Sequence, residues 1–164
     1  MIHVVPGDLA SVAADAVARP ATTRLEPLTP ALQRLDAAAG PKFIEQIQPR
    51  RELPPGAAVV TGAGDLVAEF VVHLVMGAPD SVTTDIVRRC MDAALWHCTQ
   101  WHIQVLACPI PAAGNLAPEA ALDALLAVAR PHMKIHDHPA SLLVVTSTDA
   151  EQQIATARIG QGGS

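Results

Sequence analysis

The residues able to do chemistry in this chain are few and scattered. Asp8 follows Gly7 at the end of an apolar opening run. A carboxylate there either accepts hydrogen bonds from a ligand, with Leu9 beside it, or caps its own turn. Arg19 and Thr22 follow the apolar run Ala14–Ala18. A guanidinium at a strand end either binds a carboxylate or phosphate, an anion site to which nearby Arg24 would add, or pairs with Asp15, Asp8 or Glu26. Gly114 closes the stretch Pro109–Gly114, where glycine either lets backbone approach a ligand phosphate or supplies the positive φ of a turn. Cys98 and His102 stand four apart with His97 adjoining, and His132, His136 and His138 cluster with Asp137. Zinc needs three or four converging ligands, usually with paired Cys/His spacing, and neither group has it, so no metal is expected. Cys108 and His73 fall at the ends of apolar runs, where a nucleophile and a base could stand, yet a buried inert thiol is the ordinary state of such a cysteine. No catalytic residue and no cofactor is expected.

The elements that must position these groups alternate along the chain. Short apolar runs at Ile2–Val5, Ala14–Ala18, Ala57–Thr61, Phe70–Met76, Val105–Cys108 and Leu142–Thr146 read as strands, several of them covered on both faces. Thr29–Ala39, Thr83–Trp101, Pro118–Ala129 and Asp149–Arg158 repeat apolar residues at three- and four-residue spacing and read as helices. In the second of these, Val87, Met91, Ala94, Cys98 and Trp101 share one face, while Trp96 points nearly opposite. Trp96 therefore marks a surface for self-association or a partner, or is covered by the segment 132–139. Pro131 and Pro139 are expected to bound a loop. This alternation predicts a sheet with helices on both sides.

At 164 residues, half of them apolar, the chain is expected to form one domain over 1–159 with a disordered tail at 160–164. Two Phe, two Trp and no Tyr leave few platforms on which bases could stack, and a net charge of −5 repels phosphate backbones. Neither nucleic acid nor membrane is an expected partner. Three cysteines without a signal peptide predict reduced thiols in a cytoplasmic protein.

Three ordered segments resemble the macrodomain family. Gly7-Asp8-Leu9, followed by Asp15-Ala16-Val17, matches its G-D-I and D-A-I-V segments. Gly56 to Leu66, running into Phe70-Val71-Val72-His73, is close to its G-x-A-x-x-T-x-x-x-L…V-I-H pattern. Pro109-Ile110-Pro111-Ala112-Ala113-Gly114 with Pro118-Glu119 looks like its P-x-x-G-T-G…P loop, and Ala39-Gly40-Pro41 also matches. The resemblance implies a three-layer α/β/α fold, with a mixed, mostly parallel sheet between helices, and a pocket for ADP-ribose or a related nucleotide. It assigns Asp8 to the adenine amino group and Ala112, Ala113 and Gly114 to the pyrophosphate loop.

The ligand-facing chemistry departs from that pattern. Arg19-Pro20-Ala21-Thr22 stands where the family has N-A-A-N, so Arg19 and Thr22 replace the two asparagines. Leu28-Thr29-Pro30-Ala31 replaces a glycine cradle, adding bulk and, at Pro30, removing a backbone donor. Ala112-Ala113-Gly114 replaces G-T-G, and Thr146-Ser147-Thr148 stand where an aromatic residue is common. The expected function is a non-catalytic binding module with a degenerate pocket. The alternatives are an interaction protein whose pocket is filled by Leu28, Pro30 and Arg19, self-associating through the helix that bears Trp96, or an ADP-ribosyl hydrolase.

Overall fold

The computed structural model describes residues 1–48 and 51–162. Its elements run β1 (Ile2–Pro6), β2 (Ala16–Ala21), α1 (Pro30–Ala39), α2 (Pro41–Gln46), β3 (Ala58–Gly62), β4 (Phe70–Val75), α3 (Thr84–Trp101), β5 (Val105–Pro109), α4 (Pro118–Ile135), β6 (Ser141–Thr146) and α5 (Asp149–Gly162). The strands form one six-stranded sheet in the order β1-β6-β5-β2-β4-β3. All neighbours pair in parallel except β3, which runs antiparallel on β4. The expected mixed, mostly parallel sheet between helices is the one observed.

Strand residues alternate between two apolar cores, which is why the runs read as continuously hydrophobic. Ala16, Ala18, Val72, Leu74, Leu106, Cys108, Leu142 and Val144 face α3, α4 and α5. Val17, Val71, Val75, Ala107 and Val145 face Leu32 and Leu35 of α1, Phe43 of α2 and Leu9. Each fully buried aliphatic side chain contributes roughly 1.5–3 kcal/mol of transfer free energy. No described helix is long and apolar enough to cross a membrane.

Helix starts follow local chemistry. Thr29 and Thr83 cap α1 and α3, each hydroxyl accepting the N–H three residues on, and Pro118 opens α4 at its first turn. Five details differ from the sequence reading. Strand β2 starts at Ala16 and runs through Arg19 and Pro20 to Ala21, because Asp15 is held outside it: its carboxylate accepts the N–H groups of Gln104 and Val105. Pro131 does not bound a loop; it lies inside α4, whose last turn is held by buried His132, hydrogen-bonded through Nε2 to the carbonyl of His138. Trp101 is not part of the core, since the left-handed residue His102 ends α3 and Ile103, 2 % exposed, takes the inward place. Helix α2 had no counterpart in the periodicity. At the other end, α5 continues through Gly162, and Gly163 and Ser164 of the expected tail lie outside the described residues.

Candidate functional site

The sheet opens where two of its strands part. Strands β2 and β5 pair only at Ala16–Leu106 and Val17–Ala107. Beyond these, Pro20 and Pro109 stand at the widening gap, and neither has an N–H to offer a ladder. The carbonyl of Ala21 accepts Met76 N–H on the β4 side, so the alternation of the strand turns Pro20 toward β5. A cleft of about 480 Å³ forms here, at the carboxyl ends of β1, β6, β5 and β2. This is where open α/β sheets bind ligands.

Two helix starts reach this cleft. Thr29, Pro30, Ala31, Leu32 and Arg34 bring the first turn of α1 into its wall. Ser147 and Glu151 bring that of α5. The α5 start is capped by Thr148, whose Oγ1 accepts Glu151 N–H at 3.1 Å. Glu151 Oε1 in turn accepts the N–H of Ser147 at 2.9 Å and its hydroxyl at 2.8 Å. Asp8 Oδ1 accepts Ala10 N–H at 3.1 Å. Gly7 N–H donates to the carbonyl of Thr146 at 2.9 Å, which keeps Asp8 and Ser147 on adjoining chain segments. The ionisable groups lining the cleft are therefore two carboxylates, Asp8 and Glu151, and one guanidinium, Arg34.

Comparison with known proteins decides the lineage. A family model described as Macro domain matches residues 21–121, more than half of the chain. The chain belongs to the macro domain family. Among solved structures, a mutant of the Oceanobacillus iheyensis macrodomain superposes with a TM-score of 0.86, covering 96 % of this chain and 90 % of that one at 19 % identity. The Trypanosoma brucei macrodomain in complex with ADP-ribose superposes with a TM-score of 0.83, covering 96 % and 68 % at 16 % identity. At these identities the superpositions establish the fold. Two curated relatives named O-acetyl-ADP-ribose deacetylase match a 78-residue segment, those of Citrobacter rodentium at 40 % and Escherichia fergusonii at 37 % identity. That segment covers 45 % of this chain and 44 % of each relative, less than half of either.

This macro domain uses its unusual residues in different ways. Asp8, Leu9 and Ala112 line the cleft. Arg19 turns away from it and is fully buried, its Nε and Nη2 donating to Asp36 Oδ1 and Oδ2, each at 2.7 Å. Nη2 also donates to the Leu25 carbonyl at 2.9 Å, and Nη1 to His73 Nδ1 at 3.3 Å. Since Nδ1 accepts, the ring proton sits on Nε2, which donates to Thr61 Oγ1 at 2.8 Å, whose own hydrogen goes to the Gly62 carbonyl. Phe43 stacks on the His73 ring at 5.9 Å. Burial, reinforced by the Arg19 charge, lowers the His73 pKa to about 3. His73 is thus a neutral link in a buried chain, in the middle of β4 rather than at a strand end. The salt bridge of Arg19 is to Asp36, not to Asp15, Asp8 or Glu26.

Thr22 accepts the N–H groups of Arg24 and Glu26 with its hydroxyl and shapes a turn. Gly114 has φ +57°, and a Cβ there would lie 2.3 Å from the Pro79 carbonyl oxygen, so close packing of two loops requires the glycine. Ala113 and Gly114 are not among the residues lining the cleft. Leu28 packs into both cores and Pro30 stays in the wall. The pocket is accordingly open, and the filled-pocket alternative is corrected.

The remaining candidates are structural. All three cysteines are free and buried, and burial pushes their thiols up, Cys90 to about 11 and Cys98 and Cys108 to about 12. No three metal-ligating side chains converge among the described residues. The group 132–138 is not one loop: His132 is in α4 and His136 caps it. Both rings meet Trp96 edge-on, at 5.5 and 4.7 Å, and leave that indole 46 % exposed. Sequence reasoning missed Asp36, Arg34 and Glu151. Asp36 was legible as a carboxylate between Leu32, Leu35 and Ala39 on an apolar helix stripe, which calls for a buried partner. Glu151 was legible from the spacing Thr148-x-x-Glu151.

Proposed function

We propose that the cleft binds ADP-ribose or a related adenine nucleotide and that the domain is a binding module, not a hydrolase. The observation that carries the binding is the open cleft at the strand ends with Asp8 in its wall. Asp8 Oδ1 is committed to Ala10, and Oδ2 remains to accept a hydrogen bond from a base amino group. The curated relatives and the superposed domains carry names that point to the same ligand class. Support for a non-catalytic role comes from the side chains that the chemistry would need. Arg19 and Thr22 are engaged by protein atoms, and the cleft lining contains no histidine or cysteine. Residues 1–159 are taken as one binding unit, because the sheet joins β1 from one end of the chain to β6 from the other. Buried free thiols suit a reducing, cytoplasmic setting. Half-exposed Trp96 is the surface assigned to self-association.

Calorimetric titration with ADP-ribose tests the reading. Saturable binding is expected, weakened roughly tenfold or more in Asp8→Ala. Absence of heat at millimolar ligand overturns it. The names of the curated relatives favour a second reading, hydrolysis of O-acetyl-ADP-ribose. Release of acetate above the buffer rate, abolished by Asp8→Ala, would establish that reading and overturn the non-catalytic one.

A further inference from the structure

The walls of the cleft differ in charge. Its two carboxylates, Asp8 and Glu151, stand on the segments that follow β1 and β6. Arg34, its one guanidinium, stands on α1, the helix that follows β2, and β5 separates β6 from β2 in the sheet. Arg34 is exposed and has no ion-pair partner among the described residues. The rest of the α1 wall has little else to give a ligand. Pro30 has no N–H, and Leu32 and Gln33 give theirs to the Thr29 carbonyl, each at 3.1 Å, which leaves that of Ala31. Thr29 Oγ1 also accepts from Leu32, at 3.4 Å. This wall therefore has one amide and one guanidinium to donate and no carboxylate to accept.

We propose that the cleft prefers an adenine nucleotide ending in a terminal phosphate to one extended by a second ribose, and that Arg34 sets this preference. The assignment rests on the nucleotide-binding reading of the cleft. Asp8 and Glu151 repel phosphate, so the anionic end of a ligand is directed to the α1 wall. A terminal phosphate carries roughly two negative charges at neutral pH and only accepts hydrogen bonds, which suits a wall that only donates. In a ligand with a second ribose both phosphates are bridging, with a single charge each, and the added hydroxyls must donate as well as accept. The α1 wall gives those hydroxyls no carboxylate, so each loses a water that nothing replaces. Guanidinium also matches phosphate geometry with two parallel donors, where an amide supplies one.

The probes are ADP and ADP-ribose, titrated by calorimetry at neutral pH and low salt without divalent cations. The wild-type protein is expected to bind ADP roughly three- to tenfold more tightly, a range kept small because an exposed guanidinium is screened by solvent. Arg34→Gln keeps a donor and removes the charge. It should weaken ADP by about tenfold and ADP-ribose by less than about threefold, so that the preference disappears. Arg34→Lys restores the charge and should restore most of the preference. Raising the salt concentration should narrow the wild-type ratio and leave that of Arg34→Gln unchanged, which a merely structural role for Arg34 would not produce. Tighter binding of ADP-ribose than of ADP by the wild-type protein overturns the proposal while leaving the cleft a nucleotide site. An unchanged ratio in a folded Arg34→Gln protein does the same for the role of Arg34. Failure of the wild-type protein to bind either compound overturns the nucleotide reading, and this assignment with it.

Discussion

Removing the carboxylate of Asp36 should expose how much of the stability of this domain rests on one buried ion pair. Arg19 has no exposed surface, and its guanidinium makes two 2.7 Å charge-assisted hydrogen bonds to Asp36. Asp36→Ala leaves that charge in the core with only the Leu25 carbonyl and neutral His73 as acceptors. Breaking a buried pair from one side costs about 3–5 kcal/mol, against a total stability for a domain of about 5–15 kcal/mol. At roughly 2–4 °C per kcal/mol for a chain of this size, the melting temperature should fall by about 6–20 °C. The double variant Arg19→Met/Asp36→Leu removes both charges. It should recover most of the loss, short of about 1–3 kcal/mol for the donors that Leu25 and His73 forfeit. Urea unfolding of the wild type and these two variants measures this directly. Because Arg19 faces the core, the double variant should also bind ADP-ribose within about threefold of wild type. A cost below about 1 kcal/mol for Asp36→Ala, or a double variant no more stable than that single one, would refute the reasoning.

The low pKa of His73 links stability to pH. The unfolded state takes up a proton below the ordinary value of 6.5 and the folded state only near 3, so the unfolded state binds more protons between them. Stability should fall as pH drops through that window, by up to about 1.4 kcal/mol per unit from this one group, and His73→Gln should flatten the slope in acid unfolding curves. Gly114→Ala forces a left-handed alanine against the Pro79 carbonyl and should cost more than about 1 kcal/mol in chemical denaturation. A thiol reagent at pH 8 should label none of the three buried, high-pKa cysteines within minutes in the native protein, and all three in denaturant.

Much of this fold is written in short-range patterns. Apolar residues alternating between two cores mark the inner strands of the sheet, and Thr29, Thr83 and Pro118 mark helix starts within a residue. Those patterns arise from backbone periods of two and 3.6 residues, which a linear sequence displays in full. The order of glycine-bearing loops was enough to point to the family, and Asp8 was legible as a cleft residue for the same reason.

What the linear order withheld was every pairing between distant segments. Arg19 looked like a ligand-binding group because its partner, Asp36, is 17 residues away on a helix whose landing point depends on core packing. Pro131 looked like a stop because its ring removes a helix bond; buried His132, held by the carbonyl of His138, carries α4 past it. Whether Leu28, Pro30 and Arg19 fill the pocket was an open alternative in the linear sequence, and the pocket is open because Leu28 and Arg19 found room among the sheet side chains instead. Side-chain direction at these positions is set by strand register and helix placement, and both are decided only when the two cores close.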